Sequence, residues 1–331
     1  METRGRALFN LIRMNWQEDP SLPAEDWQVE DYHNLSTENL FQRLELLGLN
    51  LDEERFLQFS EAVISPEELI DTLWTSEDMA AFDQAYLLIF ELWRRSLPEK
   101  QSLSIFCDHL DDLIDLYDQG EIEDEKTMQN AIADLEQVLD EHVDQGGEPK
   151  EIFKEISLYC AHDLESFIYD FISDQIDANN SVYATELLEA FEPYTDDEKW
   201  FSFLHMRLTA SSDQEEANAL LTDLLAEQEQ EPEFEFLLDV ARFLIHQGTI
   251  SYFMETMALT RYLIETEQDF QELLAIASQF YRLLDKEEKA DRIFKILSRR
   301  QKNPLEQEIS SSDKDVKEFF ALVEDLDRSE A

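Results

Sequence analysis

The sequence is poor in the residues that interrupt regular structure, with 6 glycines and 8 prolines in 331 positions. That scarcity excludes collagen-like, linker-like and glycine-loop architectures and favours long helices joined by short connections. Only two cysteines are present, Cys107 and Cys160, too few for a disulfide framework and in keeping with a reducing compartment. Positive charge is scarce as well. Lys and Arg total 26 against 77 Asp and Glu, a formal net charge of −51. Such a chain repels phosphate backbones and anionic lipid, which excludes direct nucleic-acid binding through charge neutralisation. Long apolar runs are missing too: the strongest, around Tyr86–Phe90, is far short of a membrane span. The opening stretch Met1–Trp16 sets Arg4, Arg6 and Arg13 around Leu8, Phe9, Leu11 and Ile12 without the unbroken apolar region of a secretory signal, and reads as a first core helix. The expected location is cytoplasmic.

What is present is apolar bulk. Hydrophobic residues make up 43% of the chain and aromatics 11%, which excludes a disordered polymer and suffices to fill the cores of two domains. Ser65-Pro66-Glu67-Glu68 has the form of a helix start, with Ser at the N-cap, Pro at the first helical position and Glu68 closing a capping box. Asn50-Leu51-Asp52-Glu53 offers a similar cap. Gly48 and Gly248 stand where C-terminal caps belong, and Pro98, Pro149, Pro193, Pro232 and Pro304 separate apolar-periodic segments. No alternating stretch is flanked by a tight-turn dipeptide, so no strands are expected. The expectation is an all-α chain, an antiparallel array of about fifteen helices. It divides into an acidic N-terminal helical domain over 1–150, helical repeats over 151–304, and a polar linker with a C-terminal amphipathic helix over 305–331.

The repeats carry a register. Ala184, Ala217, Phe253 and Ala290 recur in the same local setting at spacings of 33, 36 and 37. In the last unit, Gln271–Lys302, Leu274, Ala277, Ser278 and Tyr281 are followed by Ala290, Phe294 and Leu297. The unit Glu198–Glu231 shows Phe201, Leu204, Leu208, Ala217, Leu221 and Leu224; Phe234–Glu267 shows Leu237, Ala241, Leu244 and Met257, with Phe253 in place of the small residue. These offsets resemble the tetratricopeptide helix pair over about a third of the chain. An earlier unit ending near Phe191 departs from the pattern, since Gln175 stands where an aromatic belongs. The resemblance implies an α-solenoid in the second half whose first helices line a partner-binding groove. At its groove positions stand Lys199, Ser202 and Met206; Leu238, Arg242, Ile245 and His246; and Ala275, Gln279, Arg282 and Leu283. The Lys and Asn set that clamps a terminal carboxylate in chaperone-binding members is missing, with Ser202, Met206 and Asp239 at the matching positions, so a receptor for heat-shock chaperone tails is not expected.

Candidates for chemistry are few, and no catalytic, metal or cofactor-binding residues are expected. His162-Asp163 resembles the paired ligands of HD-type phosphohydrolases, with His142 and Asp239 as nominees for the remaining two. Cys107-x-His109 and Cys160-x-His162 point their members to opposite faces of a helix and read as buried thiols with incidental histidines. A calcium loop starting at Asp115 fails because Tyr117 and Lys126 replace needed ligands, and Gly120 reads as a helix stop. The one Glu-x-x-His motif, Glu30 to His33, falls in an expected loop, so di-iron chemistry is not expected. The stripe Asp108, Asp111, Asp112, Asp115 and Asp118 reads as a solvated face, or as a patch for a basic partner.

The function that follows is a non-catalytic protein–protein interaction scaffold or adaptor binding a peptide or protein. The alternatives are an acidic, chaperone-like or nucleic-acid-mimicking binder of a basic partner, and the metal-dependent hydrolase. Arg282–Lys302 holds 8 Lys or Arg against 4 acids and reads as an electropositive end on an acidic body. Behind it, Val316, Phe319, Phe320, Val323 and Leu326 form an apolar stripe expected to fold back, either as a cap on the last helix pair or as an occupant of the partner groove. Oligomeric state is not specified by the sequence.

Overall fold

A computed structural model describes residues 3–122, 124–247, 249–310 and 312–325, with Glu125 by its backbone alone. Among them there are eighteen α-helices and no strand; the single isolated bridge pairs Thr266 with Glu308. No described helix is long and apolar enough to cross a membrane. Two compact units are present, Met1–Asp174 with Glu186–Asp196, and Gln175–Thr185 with Asp197–Ala331. The expected division at 150 lies inside the first unit.

The helices in order are α1 Arg6–Glu18, α2 Asp26–Val29, α3 Thr37–Leu46, α4 Glu53–Ser60, α5 Pro66–Leu73, α6 Met79–Ser96, α7 Leu103–Asp118, α8 Glu125–Asp144, α9 Pro149–Ser157, α10 Leu164–Asp177 and α11 Ser181–Phe191. They continue as α12 Glu198–Ala210, α13 Gln214–Gln228, α14 Phe234–Gln247, α15 Ile250–Thr260, α16 Glu267–Leu283, α17 Glu287–Arg300 and α18 Lys314–Glu324. The punctuation acts largely as expected. Ser65 accepts from the Glu68 amide with Pro66 at the first position, although the Glu68 carboxylate accepts from Ile64 N, one residue ahead of the cap. Asp52 is the cap in its segment, accepting from Arg55 N. Gly48 ends α3 and Gly120 follows α7, both at positive φ, where glycine meets no steric penalty. Gly248 lies outside the described residues.

In the first unit α6 is the central element: every residue from Ala85 to Trp93 is buried. The apolar run at Tyr86–Phe90 is thus a helix enclosed on all sides, packed against α3 and α5. Enclosure also traps the carboxylate of Glu91 inside the unit.

The second unit is built from helix hairpins. α12 packs on α13, α14 on α15, and α16 on α17. The residues placed at repeat crossings, Ala184, Ala217, Phe253 and Ala290, are all buried. Where the pattern wants a small residue, Phe253 stacks face to face on Phe280 with ring centroids 3.7 Å apart. The first helices follow one another: Phe203 of α12 meets Phe236 and Phe243 of α14, and Arg242 of α14 reaches Glu272 of α16 at 2.9 Å.

The expected C-terminal helix is α18; of its stripe, Leu326 lies outside the described residues, as does Ser311 in the connection. α18 packs on α15 and α17, with Phe319 edge-on to Phe270 of α16. Its connection is pinned by backbone bonds from Glu267 N to Gln307 O, Gln268 N to Leu305 O and Ile309 N to Glu265 O.

Candidate functional site

The groove residues expected from the repeat register divide by burial. Ser202, Arg242, His246, Ala275, Gln279, Arg282 and Leu283 are exposed, on the successive helices α12, α14 and α16. Lys199 is half-buried and paired with Glu233. Met206, Leu238 and Ile245, expected on the groove surface, are buried and are corrected to core positions. The reason is that α14 packs on both α15 and α16 and carries apolar residues around much of its circumference, so the register assigns more of it to a surface than packing leaves free. Of the two expectations for the C-terminal helix, cap or occupant of this row, the second is corrected. α18 covers the side of α16 that carries Phe270 and Tyr281 and leaves Ala275, Gln279, Arg282 and Leu283 exposed.

The electropositive end is in part turned inward. Arg299 donates to Asp315 at 2.8 Å, Lys289 to the carbonyls of Val323 and Asp325, and Arg300 to Glu267, Asp313 and Asp315. Three of the eight basic residues, Lys289, Arg299 and Arg300, therefore hold α18.

His162 and Asp163 separate in role. His162 lies between two carboxylates of α7, with Nδ1 3.1 Å from Asp111 and Nε2 3.2 Å from Asp115. Burial lowers the affinity of its ring for a proton, but Asp111 and then Asp115 outweigh it and raise the pKa. Asp163 accepts from the amides of Glu165 and Ser166 and caps α10. His142 binds the Val138 carbonyl and lines a different cleft, beside Glu68 and Tyr159. Cys107 and Cys160 are buried free thiols; the proximity of Cys107, together with burial, pushes the Cys160 thiol up.

The carboxylate stripe of α7 departs furthest from expectation. Asp108 and Asp111 are each 2% exposed, so the solvated-face reading is corrected for these two, while Asp112 and Asp115 are half-buried and Asp118 is exposed. Asp111 accepts from the amides of Ala161 and His162, tying α7 to the approach to α10. Asp108 Oδ1 accepts from Asn10 Nδ2 at 2.8 Å and Arg6 Nε at 3.2 Å, both on α1, while Oδ2 is buried with no hydrogen-bond partner among the described residues. One helical turn on, Asp112 lies 3.9 Å from His33 Nε2. The other ring nitrogen of His33 lies 3.0 Å from Glu91 Oε2 without the alignment of a hydrogen bond. Glu91 also accepts from Arg94 and Arg95; burial would raise its pKa, but His33 and Arg94 hold it at about 2. Asp112 shifts upward, first through burial and then through Asp108.

One donor atom from each of His33, Asp108 and Asp112 lies within 4.8 Å of the other two. Asp108 and Asp112 also line a cleft of about 420 Å³ with Arg94, Gln101, His109 and Thr127. Sequence reasoning missed this grouping. The i,i+4 spacing of Asp108 and Asp112 was visible, but His33 is 75 positions away from Asp108 and arrives on the 3-10 turn Tyr32–Asn34. Compared with protein-family models, with curated proteins and with solved structures, the chain matches none.

Proposed function

We propose that the chain is a non-catalytic interaction scaffold, a tetratricopeptide-like solenoid in its second unit, which binds a peptide or protein across the first helices of its hairpins. The observation that carries this reading is the exposed row Ser202, Arg242, His246, Ala275, Gln279, Arg282 and Leu283 on three successive helices. Leu283 is 55% exposed, a large apolar side chain beside a guanidinium, which suits a partner offering both an apolar anchor and a carboxylate or carbonyl. A cytoplasmic setting belongs to the same proposal. The hydrolase reading loses support because His162 and Asp163 each serve a structural partner.

The test is capture of binders on the immobilised full chain, comparing wild type with Arg242→Glu/Arg282→Glu and with Leu283→Ser. Partners lost from these surface variants, with circular dichroism unchanged, support the reading; an unchanged set of partners sinks it. The acidic-binder alternative rests on the outer face of α8, where Asp134, Asp140, Glu141 and Asp144 are exposed. It predicts binding that is insensitive to those variants and falls steeply between about 50 and about 500 mM salt.

A further inference from the structure

We infer that His33, Asp108 and Asp112 form a binding site for one divalent transition-metal ion of the Zn²⁺ class in the first unit. The donor set is one imidazole nitrogen and two carboxylate oxygens, a chemistry that suits Zn²⁺ and its first-row neighbours better than Mg²⁺ or Ca²⁺, which prefer oxygen alone. The donors lie within 4.8 Å of one another, against about 3.4 Å between the ligands of a tetrahedral ion. Closing the last ångström falls to Asp112, whose side chain is 40% exposed and whose one ion-pair contact among the described residues is His33.

Two features separate this group from an ordinary acidic cluster. The first is the leftover acceptor on Asp108. Arg6 and Asn10 fix Oδ1, while Oδ2 is enclosed without a partner among the described residues. A buried carboxylate oxygen with nothing to accept costs free energy, and a cation bound there removes the cost. The second is how the imidazole is set. Glu91 stands at Nδ1 and is itself gripped by Arg94 and Arg95, which leaves Nε2 on the Asp112 side. A carboxylate behind the non-coordinating nitrogen is the usual support of a metal-bound histidine; here Glu91 supplies the negative charge at 3.0 Å, and a small turn of the ring would align it as a hydrogen bond. Arg94 and Arg95 are bonded to Glu91 and Arg6 to Oδ1 of Asp108, while Arg13 adds a positive charge near Asp112 that a bound ion has to outcompete. Asp108 and Asp112 line the adjoining cleft, which is the side from which an ion would enter.

A chain of net charge −51 attracts divalent ions loosely everywhere, so the experiment has to isolate one site. Titration of the metal-free full chain with Co²⁺ is followed by its visible d–d absorption, then by displacement with Zn²⁺ measured by calorimetry, in excess Mg²⁺ to saturate weak carboxylate sites. The expected result is one equivalent bound, with a Co²⁺ spectrum of low coordination number. His33→Gln and Asp112→Asn, both at partly exposed side chains, should weaken binding at least about 100-fold, and His162→Gln should leave it unchanged. Asp108→Asn should also abolish the site if the variant folds. Binding without saturation at one equivalent, or a spectrum retained in both His33→Gln and Asp112→Asn, overturns the assignment.

Discussion

Replacing Arg300 by methionine removes the cation on which the last three helices converge. Its Nε and Nη2 donate to Glu267 at 2.8 and 2.6 Å, Nη1 reaches Asp313 and Asp315 at 3.2 and 3.3 Å, and the guanidinium lies over the Phe270 ring. The Glu267 side chain is 0% exposed and that of Arg300 8%. Methionine keeps much of the apolar packing but leaves a buried carboxylate whose remaining support includes Gln271 Nε2 at 3.1 Å. Orphaning a buried charge costs about 3–5 kcal/mol, against about 0–1 kcal/mol for an exposed pair. Arg300→Met alone should therefore cost about 3–5 kcal/mol, and the double variant with Glu267→Met should recover most of it, because neither charge then stays buried. Urea unfolding read together with amide exchange of α18 gives both numbers. A single variant costing under about 1 kcal/mol, or a double variant costing as much as the single, would refute this account of how α18 is held. Acid provides an independent check. Burial opposes ionisation of Glu267 and Asp313, but Arg300 for the first, and the Asp315 amide with Arg300 for the second, bring both carboxyls below their ordinary range. A depressed folded-state pKa gives stability that is complete above the unfolded value and lost as pH falls through the folded one. Protection of α18 should therefore decline below about pH 4.

Three further outcomes follow from other parts of the molecule. Ala290 is fully buried and its carbonyl accepts from Ser278, so Ala290→Leu should overpack the α16–α17 crossing and cost about 1–3 kcal/mol in denaturant unfolding; an unchanged midpoint would contradict the crossing. The raised pKa of His162 means its contribution is complete below the unfolded value of about 6.5 and is lost as pH rises through the folded one. His162→Ala should accordingly destabilise more at pH 5.5 than at pH 8.5, and equal losses would show that the ring is neutral throughout. The exposed carboxylates of α8 repel one another in the compact state, so the melting temperature should rise with added NaCl, and a flat or falling curve would show them already compensated.

The helical class was legible because it is written locally. Ser65, Asp52 and Gly48 end helices by bonds that reach no further than four residues, and the α18 stripe declares its buried face by spacing alone. Charge was legible only as a total. Arg299 and Arg300 look like a free basic end until Asp313 and Asp315 return across a pinned connection, and the acids of α7 look solvated until α1 is laid on one and the approach to α10 on another. The repeat register marked Ala184, Ala217 and Ala290 correctly as buried, but it also placed Phe294 in the packing, where it is 45% exposed, and overcounted the surface of α14, because burial of Leu238 and Ile245 depends on which helices flank it.

The sequence by itself determined the helices and their caps, the lack of any span long enough for a membrane, and an excess of negative charge. Each rests on composition or on interactions within one or two turns. Only the tertiary structure decided which charges are buried and against what. It put Glu91 inside the first unit by enclosing α6, brought His33 to Asp112 and Arg6 to Asp108, and divided the expected groove residues between surface and core. The physical reason is that the energy of a charge depends on solvent exclusion and on partners distant in the chain, and neither is a property of local spacing.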